Sequence, residues 1–402
     1  MWQKICYISF FLYFRTQNPH GMRIMFVYES MARWGGIERI WTDKMNSLVR
    51  DYGVEVCLVT TIQGSHKAPY SLDSRVTWHD LGIQFHYSYR YRGLRKIYDQ
   101  LKRRISFRRK LRQEIKTFNP DIISCVAVRY VPTIMKLKGE IPVIVESHEN
   151  CITTYHSNAN KIIRYFEKKM LYSAIKKADK LVALTKGDSN EWKKFNDNVV
   201  TIPNIAHLND SGRYSTTSGK HAIFVGRLAT QKGLPQLLDI WDIVHSQHSD
   251  WTLDVYGEGD MEEWLRSQDS FKDNNIVLHR PTSDIMERYI DSSIFVITSD
   301  HESFGLVITE AMSCGLPVVA FDCPYGPREI ITDGKDGFLV KPNDCKGFAD
   351  KICWLIDHPK EMARLGQAAV KSSQRYCSKN IMPKWIELYE NCHSRSQATE
   401  QL

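Results

Sequence analysis

Two glutamates eight residues apart, Glu302 and Glu310, bracket the most informative segment of the chain, residues 298–320, TSDHESFGLVITEAMSCGLPVVA. A strand ends there, a short acidic loop follows, and the pattern predicts a helix from about Phe304. If that helix ran through both glutamates, they would lie about 12 Å and roughly 80° apart around its axis, on neighbouring faces. One small elongated ligand reaches both. Between them, the amides of Phe304, Gly305 and Leu306 stand unpaired at a helix N-terminus, where Gly305 removes the side chain that would block close approach. Such a corner binds phosphate. On these residues alone, the alternative is an ordinary helix capped by Ser303, with Glu302 in solvent.

Cations for an anionic ligand come from FVGRLATQKG, in which a strand leads through Gly226 to Arg227 and Lys232 before a helix that begins near Leu234. The carboxyl ends of strands are where doubly wound folds bind ligands. A diphosphate suits both groups, the guanidinium for forked hydrogen bonds and the ammonium as a point charge. Near the start, MARWGGIERIW sets Gly35 and Gly36 between the first strand and the first helix, so that backbone can approach a ligand, although a tight turn explains the pair equally well. His148 and Glu149 follow the buried run VIVES, again at a strand's end. GxGxxG and GxxxxGK[ST] are missing, which removes the main support for dinucleotide oxidoreductase and P-loop ATPase readings; HExxH is missing too, as is a DxD that would hold a divalent metal between phosphates. No metal site is expected. Charge on a leaving diphosphate then falls to Arg227, Lys232 and helix amides.

The elements that position these groups are legible as an alternation. RIMFVYES, VEVCLVTT, PDIISCVA, IPVIVES and DKLVALT in the first half, then HAIFVGR, WTLDVYGEG, NNIVLH, SSIFVITS and LPVVAF, are strand-like runs separated by amphipathic stretches. That is an α/β pattern of βαβ units on parallel sheets. At 402 residues and 43% apolar content, the chain is too long for one ordinary core. We read two Rossmann-like doubly wound domains facing a cleft, residues 22–205 and 206–380, joined through the polar stretch HLNDSGRYSTTSGK. Residues 381–402 are read as a helix returning to the first domain, with Trp385, Leu388 and Tyr389 as its packing stripe. Residues 1–21 are read as an extension whose apolar run is too short to span a bilayer.

The net charge of +8 fits anionic small ligands or an anionic membrane surface. The charge is concentrated in residues 91–116, where Tyr98, Leu101, Ile105 and Leu111 interleave with Lys and Arg, and again in residues 161–180. A solvated helix face is the plain reading of that stretch. An in-plane membrane patch comes next. Nucleic acid is not expected as a partner, because no recognisable binding module accompanies the charge. Ten scattered cysteines without metal-ligand spacing suit a reduced, cytoplasmic chain.

Taken in order, GGIE at 35–38, His148, TIPN at 201–204, VGRLATQKG at 225–233, YGEG at 256–259, ESFGLVITEAMSCGLPVVA and GPREIITDGKDGFLV resemble the family 4 glycosyltransferases, retaining enzymes of the GT-B fold. The resemblance implies a nucleotide-diphosphate sugar, of UDP type, as donor. It implies a saccharide acceptor, lipid-linked, in surface polysaccharide assembly, with the enzyme peripheral on the inner face of the membrane. By position, Glu310 would bind the ribose hydroxyls and Glu302 the donor sugar. Arg227, Lys232 and the amides of Phe304, Gly305 and Leu306 would neutralise the diphosphate. Gly257 and Arg280 would lie on the donor side, Gly36 near the donor phosphate or acceptor, and His148 at the donor sugar. No cofactor is implied. Two rival readings are a sugar-nucleotide epimerase on the same fold and a non-enzymatic basic adaptor for membrane or nucleic acid. The sequence departs from the family in PNIAHL after TIPN, and in Glu-Ser-Phe-Gly for Glu-Gly-Phe-Gly, the latter read as supplying a better N-cap.

Overall fold

Runs such as IMFV, IISCV and VIVES are buried at every position because each strand is covered on both faces, as parallel sheets require. A computed structural model describes residues 21–33, 35–126, 130–149, 151 and 161–400. The extension read at residues 1–21 lies, up to residue 20, outside the described residues. Two units result. The first takes in the described residues up to Ala183, Ser189–Ile202 and those from Met382 onward; the second takes in Leu184–Asp188 and Pro203–Ile381.

In the first unit, β1 (Arg23–Tyr28), β2 (Glu55–Thr60), β3 (Thr77–Asp80), β4 (Ile122–Val126), β5 (Val143–Ser147), β6 (Lys180–Ala183) and β7 (Val199–Thr201) form a sheet in the order β3-β2-β1-β4-β5-β6-β7. Every pairing is parallel. One face buries Met25, Val27, Ile123, Cys125, Val143 and Val145 against Phe107, Leu111, Ile115 and Trp192. Side chains alternate along a strand, so Phe26, Ser124, Ile144 and Glu146 share the opposite face. There the helix Gly36–Asp51 supplies Trp41 and Lys44, and the helix Ser378–Glu400 supplies Trp385 and Tyr389, all buried. Leu388 is buried as well.

In the second unit, β8 (His221–Val225), β9 (Thr252–Tyr256), β10 (Ile276–His279), β11 (Ile294–Ile297), β12 (Val318–Phe321) and β13 (Gly337–Val340) run parallel in the order β10-β9-β8-β11-β12-β13. Phe224, Val255, Val296 and Val319 face one core, with Leu237 and Trp241 of the helix Leu234–Gln247 and Phe348 of the helix Cys345–Asp357. Ile223, Phe295, Val318 and Ala320 face the other, with Ile308 and Met312 of the helix Leu306–Ser313. Strand order reverses between β8 and β11, so the loops leaving those two strands part to opposite sides and open a crevice at their carboxyl ends.

Two expectations need correction here. The stretch HLNDSGRYSTTSGK, read as the joining segment, is not free: Asn209 N–H donates to Ser313 Oγ at 2.9 Å and Ser215 N–H to the Cys314 carbonyl at 2.8 Å, which pins it to the end of a helix of the second unit. In the basic helix Gly93–Phe118, Tyr98, Leu101 and Ile105 are exposed, but Leu111 is fully buried with Phe107 and Ile115. At 100° per residue the six-residue step from Ile105 to Leu111 ends about 120° around the axis, so Leu111 belongs with Phe107 and Ile115 on a buried face and not with the exposed Tyr98, Leu101 and Ile105. Among the described residues, all nine cysteines are free thiols, and no helix is long and apolar enough to cross a membrane.

Candidate functional site

The crevice between β8 and β11 is assembled from three loops held to one another by backbone. After β8, residues 226–233 turn through Arg227 and a 3-10 segment, Thr230–Lys232, into Gly233, the N-cap of the helix Leu234–Gln247. Gly233 has φ +64°, and a Cβ on it would stand 2.1 Å from the Thr298 carbonyl oxygen, so only glycine lets this loop approach the one after β11. Thr298 Oγ1 donates to the Lys232 carbonyl at 2.9 Å, and Asp300 N–H donates to the Gln231 carbonyl at 2.9 Å. The third loop, after β12, brings Pro324 and Tyr325 alongside Glu302. Glu302 N–H donates to the Pro324 carbonyl at 2.9 Å, and Tyr325 N–H donates back to Glu302 at 2.8 Å.

That pairing settles where Glu302 sits. It lies in an extended bridge to Tyr325, outside the helix, which begins at Leu306 rather than near Phe304. The geometry expected for one helix running through Glu302 and Glu310 therefore does not apply. Ser303 is not the N-cap either. Gly305 takes that position at φ +97°, ψ +61°, a left-handed conformation suited to glycine, and no side chain caps the helix. Nor is Glu302 solvated: it is 8% exposed. Its Oε1 accepts from Lys232 Nζ at 2.5 Å and from Ser299 Oγ at 2.7 Å.

Among the described residues, the amides of Phe304, Gly305 and Leu306 find no acceptor. Phe304 itself is buried edge-on against Tyr376, with ring centroids 5.2 Å apart, which fixes the loop immediately before those amides. Glu310 is buried in the second turn of the helix. Burial, and then the negative charge of Glu310, push the Tyr289 phenol well above its ordinary range.

The two cations are not equivalent. Lys232 is neutralised by Glu302. Arg227 is exposed, and among the described residues no carboxylate pairs with it. An uncompensated guanidinium on the loop after β8 and unpaired helix amides on the loop after β11, at the two sides of a switch point, suit an anion in electrostatic terms. Gly257, after β9, serves the same loop from below: a Cβ there would stand 2.0 Å from the Gly226 carbonyl oxygen, and Gly226 N–H donates to the Tyr256 carbonyl at 3.0 Å. Arg280, after β10, is exposed and faces Glu262 at 3.4 Å and Glu258 at 3.8 Å.

In the first unit, Gly35 is the N-cap and Gly36 the first residue of the helix Gly36–Asp51. The space a Cβ on Gly35 would take is filled by the carboxylate of Glu38, 2.2 Å from it. Glu38 is buried, accepts from the Tyr28 hydroxyl at 3.2 Å, and has its pKa raised by that burial. His148 follows β5 with its side chain only 3% exposed, and Nε2 lies 3.0 Å from Glu146 Oε2. The Glu146 carboxylate also meets Lys44 Nζ at 2.6 Å, Ser124 Oγ at 2.6 Å and Trp41 Nε1 at 3.1 Å. Burial alone would raise its pKa, but the charge of Lys44 and the hydrogen bond to His148 outweigh that and hold Glu146 down to about 2. Sequence reasoning quoted Glu38 within GGIE but gave it no role, and missed Lys44 and Glu146. The available signal was a lone carboxylate inside the buried run VIVES and a lysine one turn after Trp41 on an apolar stripe.

Comparison with known proteins follows the same division. Residues 34–209 match the family model described as Glycosyltransferase Family 4, and residues 214–372 match that described as Glycosyl transferases group 1. An uncharacterised glycosyltransferase of Haemophilus influenzae is 26% identical over 369 residues, covering 90% of this chain and 98% of that protein. The amylovoran biosynthesis glycosyltransferase AmsD of Erwinia amylovora is 32% identical over 221 residues, 52% of this chain and 62% of its own. Among solved structures, HepE of Anabaena in complex with UDP superposes with a TM-score of 0.74 at 17% identity, over 92% of this chain and 100% of that one. With two consecutive family models spanning most of its length, and a doubly wound parallel sheet beneath each, the chain belongs to the family 4 glycosyltransferases and has the GT-B fold.

Proposed function

We propose that this glycosyltransferase moves a sugar from a UDP-sugar to a lipid-linked saccharide, with retention of configuration and without a divalent metal, in assembly of a surface polysaccharide at the cytoplasmic face of a membrane. The observation that carries the donor assignment is that the unpaired Arg227, after β8, and the free amides of Phe304, Gly305 and Leu306, after β11, lie on the two loops that leave the β8/β11 switch point. The HepE complex with UDP and the Erwinia relative's part in amylovoran biosynthesis support the choice of base and pathway.

In this reading the diphosphate lies on Arg227 and the helix amides, and Lys232 is shared between phosphate and Glu302. Glu310 accepts from the ribose hydroxyls, and Arg280 stands on the base side. Gly257 keeps the β8 loop close, and Gly36 backbone meets the donor phosphate or the acceptor. Glu302, already engaged by Lys232 and Ser299, suits holding sugar hydroxyls better than attacking carbon. His148 contacts the donor sugar. The bond from the anomeric carbon to the diphosphate oxygen breaks with its electron pair on that oxygen. The acceptor hydroxyl bonds to the same face of the carbon, and its proton passes to the departing phosphate. Developing negative charge meets cations and amides fixed beforehand, while positive charge on the ring faces carboxylates.

The test is transfer from a panel of UDP-, GDP- and ADP-sugars in EDTA. A UDP-sugar should turn over at its full rate, with the donor's anomeric configuration kept in the product's NMR spectrum. Loss of activity restored only by a divalent metal would contradict the metal-free claim, inversion the stereochemical one, and turnover confined to GDP- or ADP-sugars the choice of base.

The membrane assignment rests on the helix Gly93–Phe118, which carries ten Lys and Arg against Asp99 and Glu114. Its exposed apolar residues include Leu94 at 85% and Tyr98 at 68%; the helix Lys161–Lys176 adds Tyr165 and Phe166, both at 61%. Arg104 and Glu167, 3.8 Å apart, link the two helices. Basic clusters gain about 1 kcal/mol per Lys or Arg at an anionic surface, and the apolar side chains enter the headgroup layer. The protein should sediment with mixed phosphatidylglycerol/phosphatidylcholine vesicles, and Leu94→Ser with Leu101→Ser should weaken binding about tenfold or more. Equal binding to pure phosphatidylcholine, or none to either vesicle, would contradict the assignment.

A further inference from the structure

We propose that Glu146 is a positioning residue for His148: it accepts the imidazole Nε2–H and so leaves Nδ1 as the lone-pair nitrogen available to the donor sugar. The proposal rests on the reading of His148 as a sugar contact and supplies what that reading lacks, the tautomer and its cause.

The geometry decides the direction of each bond. Glu146 Oε2 lies 3.0 Å from His148 Nε2 and 3.1 Å from Trp41 Nε1, while Trp41 Nε1 and His148 Nε2 are 3.3 Å apart. An indole N–H only donates and an ionised carboxylate only accepts. Both nitrogens therefore point their hydrogens at the same oxygen, and a neutral His148 is protonated on Nε2. Its Nδ1 is then an acceptor, and this atom is buried without a partner among the described residues.

Glu146 stays an acceptor because of what surrounds it. Lys44 Nζ lies 2.6 Å from each of its oxygens, with the lysine completely buried, and Ser124 Oγ donates to Oε1 at 2.6 Å. The ammonium is itself held 3.6 Å from the centroid of the Trp385 ring, supplied by the helix Ser378–Glu400. A buried ion pair is weak evidence for stability, since apolar residues of similar volume often replace one at little cost. The distinctive consequence of the ion pair is thus not packing; it is a fixed acceptor behind His148.

Removing the acceptor without stranding a charge calls for Lys44→Met/Glu146→Leu. Long-range proton–nitrogen NMR spectra, with the His148 signals assigned by their loss in His148→Ala, should show Nε2 protonated in the unaltered protein and mixed tautomers in this variant. Steady-state transfer from the UDP-sugar turned over in the donor panel should fall roughly tenfold to a hundredfold in kcat, with the donor KM within about twofold. Lys44→Met/Glu146→Gln keeps a neutral carbonyl acceptor, so it should recover most of both signals. Combining the leucine variant with His148→Ala should give no further loss beyond His148→Ala alone.

An unchanged tautomer in the leucine variant would overturn the proposal. So would a kinetic loss of the same size in the His148→Ala background, since Glu146 would then act independently of the imidazole. Full activity of His148→Ala would sink the reading of His148 as well.

Discussion

Arg227→Ala should lower kcat/KM for the nucleotide sugar by about a hundred- to a thousandfold, the usual cost of deleting one preorganised donor to a developing oxyanion. The thermal midpoint should stay where it is. Arg227 is exposed, and no carboxylate of the described residues pairs with it, so nothing in the fold depends on its charge. Its neighbours are what give that charge a use. Gly233 against the Thr298 carbonyl, and Glu302 against Pro324, lock the loops after β8, β11 and β12 together. The loop that carries the guanidinium is thereby tied to the loop whose amides lack acceptors. Arg227→Lys should recover only part of the loss, because an ammonium does not reproduce the fork. Steady-state kinetics alongside differential scanning fluorimetry check both halves. An active Arg227→Ala would remove the guanidinium from the account, and an unfolded one would show that its role is structural.

The largest effect on stability is expected from Lys44→Met, about 3–5 kcal/mol, because it leaves a buried carboxylate without its counter-ion. The pH dependence has a definite sign. With Lys44 present, the folded-state pKa of Glu146 is depressed from 4.5 to about 2, so its stabilising contribution is present above the unfolded value and is lost as pH falls through that window. Without Lys44, burial dominates and the folded-state pKa rises, so folding takes up a proton and stability falls as pH climbs toward neutrality. The deficit of Lys44→Met relative to the unaltered protein should be greatest at pH 7 and should narrow toward pH 4. Urea midpoints at the two values measure it. A deficit independent of pH would mean that the cost is one of packing around Trp41 and Trp385, not of charge.

Much of this was legible in the chain. Strand runs apolar at most positions, separated by amphipathic stretches, point to two covered parallel sheets, and both sheets have that form. The helix Leu234–Gln247 has the bounds its pattern implies, with Gly233 ahead of it and a proline in its first turn. The illegible parts were decided by contacts distant in sequence. Ser303 is the better cap by local preference, yet Glu302 is drawn into the bridge to Tyr325, the chain bends at Ser303, and capping passes to Gly305. No window around residue 303 contains that information. Lys44 stands one turn from Trp41 and Leu48, and Glu146 sits in an otherwise apolar strand. Each reads locally as an exception. They explain one another only once the helix Gly36–Asp51 is laid on β5 and its neighbours, which bring the two side chains within 2.6 Å. The basic helix shows the opposite limit: charge density identified a patch, but Ile105 and Leu111 stand on different faces of the helix, and only the face of Tyr98, Leu101 and Ile105 is free to meet a partner.

The central claim is that a nucleoside diphosphate is gripped at the carboxyl ends of β8 and β11 by Arg227 and the first amides of the helix Leu306–Ser313. A crystal structure with UDP tests it most directly. The account predicts both phosphates in that crevice, within hydrogen-bonding distance of the Arg227 guanidinium and of the Gly305 and Leu306 amides, with the ribose toward Glu310. UDP bound elsewhere, or in that crevice with its phosphates turned away from Arg227, would contradict it.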